Sequence, residues 1–193
     1  RVVLTTELPG RTAPFLIAEI RPQVNGLIQK RLFTEGSDVK QGQELYQIDP
    51  APFQAALDNA QAALGRAEAS LPAIQSRADR FKRALADKAV SQQDFDDADG
   101  ALKQALADVE YWKAMVATAR INLGYARVTS PIAGRIGRSS VTDGAIVTAY
   151  QPVPLTTIQQ LDPIYVDVTQ SANELLRLQR RLKQGQLNSA GDS

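Results

Sequence analysis

The sequence predicts an α+β fold: a β-sandwich assembled from two half-motifs and split by a long antiparallel α-helical hairpin. Three observations carry that expectation. A heptad of apolar residues runs unbroken over residues 53–85 and again over 95–123. A turn pattern that precedes the first run recurs after the second. Short β-type segments punctuated by Gly and Pro flank both runs.

On the first arm Phe53, Leu57, Ala60, Leu64, Ala67, Leu71, Ile74, Ala78, Phe81 and Leu85 alternate at spacings of four and three. The second arm repeats the rule with Phe95, Ala98, Leu102, Ala105, Val109, Trp112, Val116, Ala119 and Leu123. A sustained 3.5-residue apolar period keeps one seam of a helix facing a partner. The arms match in length and only residues 87–94 separate them, so each is most simply the partner of the other. At ~1.5 Å per residue such an arm projects on the order of 50 Å, far beyond a small β-domain. Its distal half therefore packs only on the other arm or on another protein. Pro72 lies inside the first arm. A proline there removes one backbone hydrogen bond and crowds the preceding turn, costing about 3 kcal/mol if nothing compensates. The heptad phase continues across it, which predicts a kink within one helix; the alternative is two helices joined at Ser70-Leu71.

The segments around the arms read as β. Residues 2–8 form a strand, Pro9-Gly10 a turn, and residues 15–20 a second strand. Gly26-Leu27-Ile28, Arg31-Leu32-Phe33 and residues 44–48 are further short strands, and Asp49-Pro50 ends the last and starts the first arm. After the second arm, residues 125–129 are β again. Here an internal repeat emerges. Gly26 lies ten residues before Gly36, and Gly134 ten before Gly144. Pro22 and Pro131 precede the first glycine of each copy, and Val39 and Val147 follow the second by three. Each copy closes on Asp-Pro, at Asp49-Pro50 and Asp162-Pro163. Glu35-Gly36 and Asp143-Gly144 suit turns that need positive φ. Residues 165–169 form a strand, and Ser171 with Glu174 suggests a capping box for a short helix over 172–183. Residues 1–17 and 164–193 are too few for a closed domain and read as parts of a β-barrel, as though the chain were a piece of a longer protein.

Composition excludes several function classes. Among 193 residues there is no Cys and no His, which removes disulfides, thiol nucleophiles, the commonest zinc ligands and the usual general base. A formal charge of +1 with no clustered basic face gives no nucleic-acid footprint. No run approaches the ~18–20 apolar residues of a membrane span, and no signal-peptide pattern opens the chain. Asp94, Asp96, Asp97 and Asp99 lack the spacing and turn glycine of a Ca²⁺ loop and suit a helix start. Gly134-Arg135-Ile136-Gly137-Arg138 lacks the Lys-Ser/Thr ending of a phosphate loop and reads as a β-turn.

A paired half-motif sandwich split by a coiled-coil hairpin resembles the periplasmic adaptors, or membrane fusion proteins, of tripartite efflux pumps, most closely the AcrA/MexA type that serves RND multidrug exporters. The resemblance rests on Thr6-Glu7-Leu8-Pro9-Gly10-Arg11, residues 18–26, Glu35-Gly36-Ser37-Asp38-Val39, Leu45-Tyr46-Gln47-Ile48-Asp49-Pro50, residues 119–123, residues 129–137 and residues 161–170. It implies a lipoyl/biotinyl-like sandwich over 18–52 and 124–163, with turns at Gly26, Gly36, Gly134 and Gly144. It implies an α-helical hairpin over 53–123 and a partial β-barrel domain over 1–17 and 164–193. It also implies a membrane-proximal domain, an N-terminal signal and a lipid-bearing cysteine, none of which lies in this sequence.

The function implied is that of a non-enzymatic adaptor in the periplasm, anchored to the inner membrane through a lipidated N-terminus. It would link an inner-membrane RND transporter to a TolC-like outer-membrane channel, self-associate as a hexamer in the assembled pump, bind no nucleic acid and need no cofactor. The family's hairpin tip carries an arginine, a leucine four residues on and a serine eleven residues on. Arg80 and Ser91 keep that spacing; Ala84 takes the leucine position, with Leu85 beside it. Ser91 also reads as an N-cap for residues 92–123, with Asp94 as a loose capping-box partner. Two other readings remain in view. Asp87-Lys88-Ala89 matches the lipoyl-carrier tripeptide, but Lys88 falls at the hairpin tip and not on the turn between half-motifs. An adaptor of an ABC exporter or a metal pump is the other; a single Met and no His argue against copper handling.

Overall fold

A computed structural model describes residues 7–185. Eight strands and three helices follow in the order β1 (Gly10–Ile20), β2 (Gly26–Arg31), β3 (Asp38–Val39), β4 (Glu44–Ile48), α1 (Ala51–Ala86), α2 (Gln92–Tyr125), β5 (Arg127–Thr129), β6 (Gly134–Ile136), β7 (Ile146–Val147), β8 (Thr156–Val168) and α3 (Ala172–Lys183).

The strands form two four-stranded sheets, ordered β1-β8-β6-β3 and β5-β4-β2-β7. The two orders map onto each other when β1 is matched with β5, β8 with β4, β6 with β2 and β3 with β7. The sandwich is thus an approximate two-fold of two half-motifs, and each lends its short strand to the other half's sheet: β2 pairs with β7, and β3 with β6. Matching hydrogen bonds lock the exchange. The Gly36 N–H donates to the Ile136 C=O at 3.0 Å and the Gly144 N–H to the Ile28 C=O at 2.8 Å. Gly36 and Gly144 have φ of 75° and 87°, the left-handed conformation a side chain resists.

The core repeats the symmetry. Ile28 and Ile136, Val39 and Val147, Leu45 and Leu155, and Ile48 and Ile158 are all buried within one cluster. The halves differ at one place. Tyr46 is buried edge-on to Phe33 at 5.3 Å between centroids, and its hydroxyl hydrogen-bonds the Ser139 hydroxyl (2.6 Å) and the Leu155 carbonyl (3.1 Å). The matching positions carry Val141 and Thr156.

Several sequence expectations need correction. Residues 2–6 of the first expected strand lie outside the described residues, and its last two, 7 and 8, form no strand. Gly10 is not in a turn: it opens β1, paired with Val168. Tyr125 ends α2, so β5 starts only at Arg127. Gly26 and Gly134 open strands β2 and β6 instead of lying in turns, so residues 134–136 are a strand. Their role is close approach: a Cβ on Gly134 would lie 2.5 Å from the Gln159 carbonyl oxygen, and one on Gly26 2.5 Å from Ile48 Cγ2. Asp49-Pro50 does end β4, but β8 runs through Asp162-Pro163. Proline is tolerated there because the β1–β8 register is broken between Pro14 and Leu16, and β6 reaches β8 only at Gln159 and Ile158. Ser171 precedes α3 in an extended conformation, yet its side chain makes no capping hydrogen bond.

Beyond Gln160, β8 pairs with β1 alone, so residues 10–14 and 164–168 form a two-stranded ribbon. Both strands run continuously from the sandwich into it. Phe15 and Tyr165 pack at 5.3 Å between centroids on this otherwise exposed ribbon.

Candidate functional site: the hairpin and its tip

α1 is continuous through Pro72, which rules out two helices joined at Ser70-Leu71. At ~1.5 Å rise its 36 residues extend about 54 Å, and the 34 residues of α2 run back alongside. The seam alternates large and small residues. Leu57, Ala60, Ala78, Ala98, Ala105, Val109 and Val116 are buried. Leu64, Ile74, Phe81, Phe95, Leu102, Trp112 and Leu123 are half-buried, as a two-helix seam leaves long side chains. Ala63, off the heptad rule, is buried as well. Near the base Leu57, Ala60 and Val116 form a small cluster with Leu64, Ala119 and Leu123. Phe53 departs from the seam: it packs against the sandwich core and so joins the first turn of α1 to the β-domain.

The tip is closed by two local motifs. α1 ends at Ala86 with Asp87 as C-cap, and Lys88 takes a left-handed φ of 54°. The Lys88 N–H donates to the Leu85 C=O at 3.0 Å and the Ala89 N–H to the Ala84 C=O at 2.8 Å. This is a Schellman ending, with lysine in the place glycine usually fills. Lys88 of the carrier-like tripeptide is thus a helix terminator at the end of the arm. α2 then opens on a complete capping box. The Asp94 N–H donates to Ser91 Oγ at 3.1 Å, and the Ser91 N–H donates to the Asp94 carboxylate at 3.1 Å. The Ser91 hydroxyl also donates to that carboxylate at 2.6 Å. The Ser91 hydroxyl first, and its backbone N–H second, hold the Asp94 carboxyl below its ordinary range.

Arg80 is exposed and joins none of the ion pairs among the described residues. Ala84 and Leu85 are half-buried, Leu85 on the seam and Ala84 as a carbonyl acceptor of the Schellman turn. Ser91 is exposed but its hydroxyl is committed to Asp94. The tip therefore presents a guanidinium that joins no ion pair among the described residues, beside a small apolar step; its N–H groups can donate to carbonyls on a partner's helix ends. The Lys88 terminator escaped sequence reasoning because no glycine marks it, whereas the Ser91–Asp94 spacing already suggested the capping box, which the structure shows complete.

A split sandwich of interleaved half-motifs that carries a two-helix arm at the split is a barrel-sandwich hybrid. A family model described as the barrel-sandwich hybrid domain of RND membrane fusion proteins matches residues 16–159, and the chain belongs to that family. It is 57% identical over 192 residues to the multidrug resistance protein MexA of Pseudomonas aeruginosa, covering 100% of this chain and 46% of that one. It is 53% identical over 184 residues to the multidrug efflux pump subunit AcrA of Escherichia coli K12, covering 95% and 46%. The chain thus spans about half the length of the curated relatives it matches. Among solved structures, a MacA–MexA chimera bearing the Pseudomonas aeruginosa MexA α-hairpin aligns with a TM-score of 0.56 at 33% identity, over 86% of this chain and 55% of that one. The membrane fusion protein Spr0693 of Streptococcus pneumoniae shares the fold, with a TM-score of 0.65 at 19% identity over 87% and 72% of the two chains. No helix among the described residues is long and apolar enough to cross a membrane.

Proposed function

We propose that this chain is the central part of a periplasmic adaptor of a tripartite drug efflux pump. The adaptor links an inner-membrane RND transporter to a TolC-like outer-membrane channel and catalyses no reaction. One observation carries the reading: an arm of about 54 Å projects from a small sandwich and ends in a tip closed by its own caps, with Arg80 exposed and in no ion pair among the described residues, beside Ala84 and Leu85. An arm of that length is a spacer, and a donor at its end is a docking element. Identity above 50% to proteins named as multidrug efflux subunits supports the same assignment. In this reading the sandwich over 18–52 and 124–163 is a scaffold, 53–123 is the channel-facing hairpin, and 1–17 with 164–193 is the partial barrel on the transporter side. The whole adaptor is held at the inner membrane by a lipidated N-terminus and works as a hexamer.

The test is cysteine cross-linking from single substitutions at positions 80–95 to a co-expressed outer-membrane channel; these 193 residues contain no competing cysteine. Cross-links should concentrate around Arg80, and Arg80→Glu should weaken them while leaving the hairpin folded. Cross-linking and drug resistance unchanged by Arg80→Glu would refute the tip assignment.

A further inference from the structure

The outer part of the arm is held lightly. Beyond Val109 toward the tip, the buried residues among those described are Ala78, Ala98 and Ala105. No ion pair among the described residues joins the two helices; Lys103–Asp99 and Lys113–Glu110 both lie within α2. The apolar cluster of Leu57, Ala60 and Val116 sits at the base. With so little packing, the strength of each helix as a helix decides where the outer arm opens.

That strength fails on both helices at one height. Pro72 has no N–H to donate to the Glu68 carbonyl, and its ring crowds that carbonyl. Half a turn before it, the Ser70 hydroxyl donates to the Ala67 carbonyl at 2.8 Å, a back-bond of the kind that bends helices. On α2 the weak residue is Gly100. A Cβ there would meet nothing within 4 Å, so neither packing nor a left-handed backbone calls for glycine. Its effect is on the helix alone, since glycine is second only to proline as a poor residue for a helix interior. A groove lined by Ser70 and Ile74 of α1 and by Ala101 and Gln104 of α2 sets the heights, and places Pro72 and Gly100 within about one turn of each other. The groove is floored by Ala67, Ala101 and Ala105, so contact between the helices is thin there as well. Gly65 is equally open, but residues 106–114, at its height on α2, hold neither proline nor glycine. The Lys103–Asp99 pair brackets Gly100 and is a local staple on one helix only.

We propose that Pro72 and Gly100 form a joint within the hairpin. Both helices open there more readily than in the turns on either side, and the outer segment, residues 76–97, swings on the inner one. About 21 Å of α1 lies beyond Pro72, so a tilt of about 20° carries the tip sideways by about 7 Å. In the adaptor reading this lets Arg80 align with a channel while the sandwich stays in place; the joint itself is a property of the arm and does not depend on docking.

Amide exchange resolved by residue tests it in the 193-residue chain. Protection should dip at residues 73–76 and 98–104 and recover toward the tip, where the Schellman turn and the capping box close the two helices. Gly100→Ala should slow exchange at 98–104 about fivefold, and Pro72→Ala should slow it at 73–76 by more. Gly124→Ala makes the same gain in helix propensity at the base, where a Cβ is equally free, and should leave both stretches unchanged. Residual dipolar couplings read the swing: in the parent the outer segment should show weaker alignment than the inner arm, and in Pro72→Ala/Gly100→Ala the two should coincide. Protection that falls steadily from base to tip, an equal response of the joint to Gly124→Ala, or one common alignment in the parent would each overturn the inference. Neither measurement involves a channel and Arg80 is intact throughout, so failure here is distinct from failure of the adaptor reading.

Discussion

Gly42 and Tyr150 hold the same turn in the two halves of the sandwich, with φ of 80° and 56°. The turns match bond for bond. The Lys40 and Thr148 N–H groups donate to the side-chain oxygens of Gln43 and Gln151 at 3.0 and 3.2 Å. The Gly42 and Tyr150 N–H groups donate to the carbonyls of Ser130 and Pro22 at 2.8 and 2.9 Å. One half fills the left-handed position with the residue that adopts it freely, the other with an aromatic residue that does not. Tyr150 is 73% exposed, so little packing offsets the strain. Tyr150→Gly should therefore stabilise the chain by about 0.5–1 kcal/mol, and Gly42→Ala should destabilise it by about 1 kcal/mol. Denaturant midpoints of the two variants check this; the opposite order would contradict it.

Gly26 and Gly134 are equivalent by the same two-fold, but their surroundings differ in what can yield. A Cβ on Gly26 would press on Ile48 Cγ2, the end of a side chain, whereas one on Gly134 would press on the backbone of Gln159 in β8. Side chains can rotate, while a paired strand cannot shift without breaking its ladder. Gly134→Ala should cost about 2–3 kcal/mol and Gly26→Ala distinctly less. Thermal melts of the pair, measured side by side, decide it; equal losses would mean that Ile48 has no room to turn.

The hairpin was legible because its signal is long: nineteen seam positions at strict heptad spacing tolerate one proline without losing phase. The repeat was legible in its turn glycines, because Gly36 and Gly144 answer to a backbone requirement that sequence displays. The exchange of β3 and β7 between sheets was not legible, since two-residue strands carry no period. Asp162-Pro163 misled for a physical reason. Proline ends a strand only where its missing N–H is needed, and at the register break beside Pro14 it is not. At the tip, Arg80 was singled out only by the resemblance to the adaptor family, and the Ser91–Asp94 cap was legible as a loose pair whose closed geometry spacing alone does not fix.

Thr156 is the buried polar group that the two-fold leaves unserved. It is 3% exposed, and its hydroxyl has no hydrogen-bond partner among the described residues. The matching residue, Tyr46, reaches Ser139 and Leu155 with its longer side chain. A buried hydroxyl without a partner loses its hydration for nothing in return, typically at about 1–3 kcal/mol. Thr156→Val keeps the shape and β-branching and removes the hydroxyl. It should raise stability by about 1 kcal/mol, read as a higher urea midpoint at unchanged m-value. A lower midpoint would show that the hydroxyl is served after all.

Ser91 and Asp94 give the hairpin a dependence on acid. Asp94 accepts from the Ser91 hydroxyl and backbone N–H, and both lower its pKa below the ordinary 3.8. A group whose folded pKa is depressed contributes stability that is present above its unfolded value and lost as pH falls through the folded one. The second-arm cap should therefore hold from neutral pH down to about the ordinary carboxylate value and weaken below it. Ser91→Ala removes both the hydroxyl donor and the cap acceptor for the Asp94 N–H; it should cost about 1 kcal/mol at neutral pH and flatten this acid dependence. Ser91→Thr keeps the hydroxyl and should behave like the parent in both respects. Helicity against pH for the three proteins provides the measurement, with channel cross-linking from the tip as a second readout. If Ser91→Ala loses helix stability but Ser91→Thr retains both stability and cross-linking, the serine acts as the cap that positions Arg80. If Ser91→Thr keeps the cap but loses the cross-link, the serine itself faces the channel, and Asp94 is not the only group it serves.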